Sequence, residues 1–146
     1  MSDGVEVHVG WTGHTRIDFD KKKIRKVMRA RGRDIQKEAR RLVARRAVSA
    51  PGEYPGRDTG TLWRSIKSKV SRSGFLVRIA PQKTPEMGGD FYPAFLWYGV
   101  RRKGGDEGSA WRIDPRANYM TEALDRRREV SQSTIKAALQ DALIPR

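Results

Sequence analysis

The chain has 146 residues, no cysteine, and 31 Lys and Arg against 17 Asp and Glu, a formal charge of +14. That length suits a single domain, and the missing thiols exclude disulfides, cysteine nucleophiles and thiolate zinc sites. A charge surplus of this size calls for an anionic neighbour, whether nucleic acid, an acidic protein face or an acidic membrane surface, unless it serves solubility alone.

Apolar residues make up 37% and charged residues 33%, so a compact domain with extended or mobile parts is expected. No run approaches the roughly 18 apolar residues of a membrane span. The opening MSDGVEVHV lacks the basic-then-apolar pattern of a secretion signal. A soluble protein made and used inside a cell is the expectation.

Val5, Val7, Val9 and Trp11 alternate with Glu6, His8 and Gly10, and Thr15, Ile17 and Phe19 alternate with Arg16 and Asp18. This period of two predicts a hairpin over 1–19, turning at Thr12-Gly13. His8 and His14 have no ligand-like partners at metal spacing.

Asp20 is placed to cap a helix starting at Lys21. From Lys21 to Arg46 there are thirteen Lys or Arg against Asp34 and Glu38, a net +11. Ile24, Val27, Met28, Ile35, Ala39, Leu42 and Val43 recur at helical spacing as a core-facing stripe. Gly32 weakens the helix and suggests a kink there. Arg25, Arg29, Arg33, Lys37 and Arg40 are the candidate contacts with DNA or an acidic partner. The helix contains no aromatic residue, which argues against base readout and leaves phosphate or acidic-protein contact open.

The stretch Ala50–Ile66, APGEYPGRDTGTLWRSI, opens with a proline break and a Gly/Pro-rich loop. It then turns apolar, with a helical turn starting at Thr59 or Thr61 and bearing Leu62, Trp63 and Ile66. Lys67–Val70 and Phe75–Ala80, joined through Ser73-Gly74, read as a second hairpin with Phe75, Val77 and Ile79 on one face. Residues 81–90 read as a flexible loop. FYPAFLWY, residues 91–98, reads as a short helix with Pro93 in its first turn and Gly99 ending it. It holds more aromatics than one such helix can bury, and Tyr92, Phe95, Trp97 and Tyr98 are the candidate subunit interface. Residues 101–110 read as a mobile loop. Trp111 and Ile113 lead to Pro115 and to a last helix from about Arg116. The polar run 125–134 predicts that its second half is a separate piece docking on a neighbour.

No phosphate loop, nucleophile elbow or paired-histidine zinc pattern is present. Asp18 with Asp20, and Asp106 with Glu107, are surface carboxylate pairs without a pocket to perturb them. The expectation is no enzyme, no catalytic residue, no metal and no cofactor.

The order of these pieces resembles the neck and tail-completion (head–tail joining) proteins of tailed bacteriophages. Ala50, Pro51, Thr59, Gly60, Leu62, Ser65 and Ile66 fill that family's "AP…TG.L..SI" loop. Tyr92, Ala94 and Gly99 are similar to its "YA..vE.G" helix. Pro115, Arg116, Tyr119, Met120, Ala123 and Leu124 echo its closing "P.RPFL.PAL" motif. The chain departs from the family in lacking the acid before Gly99, in having Asn118-Tyr119 for Pro-Phe, and in a longer insert at 52–57.

The resemblance covers about 20–128. It implies an α+β subunit, and with the hairpin read over 1–19, which lies outside the match, the expected fold is a small antiparallel sheet of two hairpins packed against a long basic N-terminal helix and a C-terminal helix. In that single domain, 1–146, the hairpin 1–19 and a helical extension 129–146 flank the core. It also implies a structural virion protein, assembled in the host cytoplasm into a ring, hexameric by preference, at the tail top. Its partners would be tail-tube and head-closure or connector proteins, with DNA passing through the lumen and no membrane. The alternative is a nucleic-acid-binding protein without sequence preference.

Overall fold

A computed structural model describes residues 4–10, 17–101 and 111–145. The fold is α+β. Strand β1 (Ile17–Phe19) leads through Asp20 into helix α1 (Lys21–Leu42). Asp20 caps that helix, its carboxylate accepting from the Lys22 and Lys23 N–H groups. Helix α2 (Thr61–Ser65) starts at Gly60, whose φ of 80° is a backbone state that glycine adopts without strain. It passes straight into β2 (Ile66–Val70), which pairs antiparallel with β3 (Val77–Pro81). Helix α3 (Tyr92–Tyr98) has proline in its first turn and ends at Gly99, φ 72°. The short strands β4 (Val100–Arg101) and β5 (Trp111–Ile113) pair with each other. Helix α4 (Tyr119–Asp141) ends in β6 (Leu143–Pro145).

Helices α1 and α4 lie against each other and the β2–β3 hairpin lies across α1. Two apolar clusters result. One joins Ile35, Ala39 and Val43 of α1 to Leu62, Ile66, Tyr119 and Ala123. The other joins Ile24 and Met28 to Ala142, with Phe19, Val77, Ile135 and Leu139 around them.

Several expectations need correction. Residues 4–10 carry no strand, and the hairpin turn expected at 12–13 lies outside the described residues. Ile17–Phe19 pairs instead with Leu143–Pro145, because α4 returns the chain to the start of α1; there the Asp20 N–H donates to the Ala142 carbonyl at 2.8 Å. Helix α1 stops at Leu42, so Arg45 and Arg46 of the basic segment lie beyond it. The Arg45 carbonyl accepts from Ala47 N–H and Arg57 N–H, so the chain turns to meet the 56–57 loop.

Gly32 marks a close approach within one continuous helix. A Cβ there would overlap Ser68 Oγ and lie 2.6 Å from Val77 Cγ2. Helix α4 is a single piece through the polar run, and its second half packs on its own chain. Residues 81–90 hold a 3₁₀ turn, Pro85–Met87, with Met87 buried. The loop expected over 101–110 lies outside the described residues beyond Arg101.

Candidate functional site

The three stretches that carry the resemblance meet in space. Leu62, Ser65 and Ile66 are buried, Tyr119 packs in the same cluster, and Tyr92 and Leu96 pack against it. Ser65 Oγ donates to the Leu62 carbonyl at 2.7 Å, closing α2 internally. The Pro115 carbonyl accepts from Gly52 N–H, Ala117 N–H donates to the Glu53 carbonyl, and Arg116 N–H donates to the Leu96 carbonyl. These bonds stitch the loop after Pro51 and the end of α3 to the segment before α4. Thr59 Oγ1 lies 2.8 Å from Thr61 Oγ1, and Thr61 Oγ1 donates in turn to Glu86. Glu86 also pairs with Arg64 at 2.7 Å, which holds its carboxyl below the usual range and fastens the 3₁₀ turn. Pro51, Thr59, Gly60, Gly99 and Pro115 thus shape backbone. Burial pushes the Tyr92 and Tyr119 phenols up, so neither is an acid near neutral pH.

Asn118 stands immediately before α4. Its side chain accepts from Met120 N–H and Thr121 N–H and so caps α4.

The aromatic candidates divide. Tyr92 is half-buried against the core. Phe95, Trp97 and Tyr98 stand out on α3, with Tyr98 73% exposed and Trp97 47%. Trp97 and Tyr98 meet edge to face, ring centres 6.4 Å apart. Beside them lies an apolar groove of about 260 Å³ lined by Pro55, Phe91, Pro93, Trp97, Tyr98 and Met120, among others.

The basic candidates divide as well. Arg29, Arg33 and Lys37 are exposed, and with Lys22 and Lys26 they form one face of α1 at three- and four-residue spacing. Among the described residues none of these five pairs with a carboxylate. Arg25 is half-buried, its stem filling the space beside Gly74 in the hairpin turn. Arg40 is engaged too: Nη2 donates to the Ile66 carbonyl at 3.0 Å and the guanidinium lies 4.4 Å from the Trp63 ring centre. Arg57 approaches the same ring at 5.0 Å. Partial burial lowers the Arg40 pKa.

The hairpin adds cations beyond those of α1 that periodicity singles out. Lys67, Lys69 and Arg78 are exposed, and Lys69 sits directly opposite Arg78 across the ladder. Like charges so placed repel each other unless an anion lies between them. The signal available in sequence was the alternation of Lys67 and Lys69 with Ser68 and Val70.

An open groove of about 720 Å³ lies beside the 46–63 segment and α3, lined by Arg46, Arg57 and Trp63 among others. Among the described residues, no group of three His, Asp or Glu is placed to hold a metal, and no helix is long and apolar enough to cross a membrane. Asp18 and Asp20 serve locally, Asp18 accepting from Phe19 N–H and Asp20 capping α1. Asp106 and Glu107 lie outside the described residues. Compared with known proteins, the chain matches no family model, no curated protein and no solved structure.

Proposed function

We propose that this chain is a structural assembly subunit, in the phage reading a virion protein of the neck or tail top. Copies form a ring that completes the tail and joins it to the head around the DNA channel. One observation carries the assembly part of this reading: the end of α3 leaves Phe95, Trp97 and Tyr98 in water beside an apolar groove. Aromatics of this kind are the usual anchors of protein interfaces, and the groove that Trp97 and Tyr98 help to line offers apolar surface to a neighbouring subunit. The phage part rests on the motif resemblance, which the meeting of its three stretches in one cluster supports.

The test uses Trp97→Ala, a change at an exposed site that leaves both apolar clusters intact. Light scattering of the purified chain should show assembly lost or weakened at least tenfold, with folding unchanged by circular dichroism. Unaltered assembly overturns the interface. In a phage lacking the gene, filled heads beside finished but unattached tails are expected; normal infectious particles overturn the virion reading.

A second reading, duplex binding without sequence preference, is favoured by the unpaired face Lys22, Lys26, Arg29, Arg33 and Lys37. It predicts affinity that falls steeply with salt and fails when Arg29, Arg33 and Lys37 are neutralised, while Trp97→Ala leaves binding intact.

A further inference from the structure

The β2–β3 ladder has a free edge whose position follows from two hydrogen bonds just outside it. Ser71 N–H donates to the Leu76 carbonyl at 2.8 Å, and Gln82 N–H to the Ser65 carbonyl at 2.9 Å. In an antiparallel pair, bonded and non-bonded residue pairs alternate. With the observed register, 67:80 and 69:78 are therefore bonded pairs. The backbone groups of Ile66, Ser68 and Val70 point outward on β2, and those of Val77 and Ile79 point outward on β3. The β2 side agrees: the Ile66 carbonyl faces α1, where Gln36 and Arg40 both donate to it. On β3, the Val77 and Ile79 groups have no partner among the described residues.

That open edge borders a cleft of about 430 Å³ between β3, α1 and α4, with Met28, Ile35, Leu124 and Ile135 among its walls. Ser131, 2% exposed, lines the same cleft, and its hydroxyl has no hydrogen-bond partner. Gly4 and Val5 also line it. The segment 4–10 has strand-like burial, with Val5, Val7 and Val9 half-buried and Glu6, His8 and Gly10 exposed. Yet it forms no ladder, and among the described residues its backbone makes no hydrogen bond. Each chain thus holds both halves of a β-pairing, an alternating strand and an unpaired edge, and leaves them unmatched. Unpaired edges of this kind recruit strands from other chains. Seven extended residues reach about 23 Å, enough to run the length of β3.

We propose that the outer edge of β3 accepts the 4–10 segment of a second copy, which displaces the chain's own Gly4 and Val5 from the cleft, pairs with Val77 and Ile79 and seats its valines there. This rests on the assembly reading above and supplies it with a second, head-to-tail contact.

The chain has no cysteine, so thiol cross-linking is clean. Val5→Cys and Leu76→Cys copies, each carrying one thiol, are mixed and treated with a short bis-maleimide. Leu76 lines the cleft and is 56% exposed. The expected product is a mixed dimer, abundant at concentrations where light scattering shows assembly. Val48→Cys, at a 98% exposed site, replaces Leu76→Cys as the control and should give only background.

Val7→Pro removes a strand donor from a segment outside both clusters and should cut the mixed dimer about tenfold. Assembly without mixed dimer above the control overturns this inference and leaves the aromatic interface standing. An unchanged yield with Val7→Pro overturns the ladder. Absence of both assembly and mixed dimer overturns the inference and the assembly reading together.

Discussion

Helix α1 has two flanks of opposite character. On the α4 side, Glu38 is 3% exposed and takes Arg41 at 2.5 Å, Arg127 at 3.1 Å and Arg126 at 3.3 Å. Nearby, Arg31 pairs with Asp34, and Lys23 with Asp141 at the far end of α4. On the solvent side, Lys22, Lys26, Arg29, Arg33 and Lys37 face water without a carboxylate between them. The difference shows that the high charge of this segment is two things. One part is an ionic seam that holds two helices in register. The other is a solvated basic face that takes no part in holding the helices together.

Glu38→Gln is the strongest way to break the seam. The Arg41 hydrogen bond chiefly, with Arg127 and Arg126, holds the Glu38 carboxyl at about 2 although burial pushes it up. Replacing it should cost about 2–3 kcal/mol, read as a lower midpoint in urea. Its folded value lies below the ordinary 4.5, so its stabilisation is full above that pH and is lost as pH falls toward 2. The wild-type chain should therefore lose stability over that window, and Glu38→Gln should lose less.

Gly32→Ala probes the face between the two flanks. Alanine favours helix by about 1 kcal/mol, but its methyl would meet Ser68 Oγ and Val77 Cγ2. A net loss of about 1–2 kcal/mol is expected. A gain would mean that the hairpin moves aside at little cost. Arg40→Gln sharpens the boundary of the exposed face. Taking the guanidinium away from the Trp63 ring and the Ile66 carbonyl should cost about 1 kcal/mol, whereas a true surface arginine would cost nothing.

The smallest effect on stability belongs to the triple change Arg29→Gln, Arg33→Gln and Lys37→Gln. Each should move the unfolding free energy by less than about 0.5 kcal/mol. If this face meets phosphates, the salt slope of duplex binding should flatten by about 0.9 for each phosphate no longer neutralised. A substantial loss of stability would show that these side chains belong to the fold after all.

What could be read in the sequence was local. Asp20 as a cap, Thr61 opening α2, Pro93 opening α3 and Gly99 closing it each act within a few residues, and each is where it was expected. The failures are long-range. The polar run 125–134 reads as a break before a separate piece that docks on a neighbour, but Arg126 and Arg127 within it pair with Glu38 on α1 of the same chain. Ser131 was indistinguishable from an exposed serine until α4 was laid on α1. Gly32 reads as a weak spot in a helix; only the hairpin's position makes it a contact. The exposed face was half legible. Arg29, Arg33 and Lys37 follow from periodicity, while Arg25 and Arg40 share that periodicity and are drawn away by Gly74 and Trp63, which no helical wheel displays.

The pairing of Ile17–Phe19 with Leu143–Pro145 bears on the order in which the molecule forms. The strands come from opposite ends of the described chain, and closing a loop of that span costs about 4 kcal/mol before any contact is made. Three residue pairs cannot meet that cost alone, so the ladder awaits the docking of α4 on α1. An element that must come last on folding is the first to open. Its amides should exchange with solvent well ahead of those of Ile35 and Ala39. When it opens, the start of α1 loses the Ala142 carbonyl beside Asp20, and Ile17–Phe19 is released together with Leu143–Pro145, by one event.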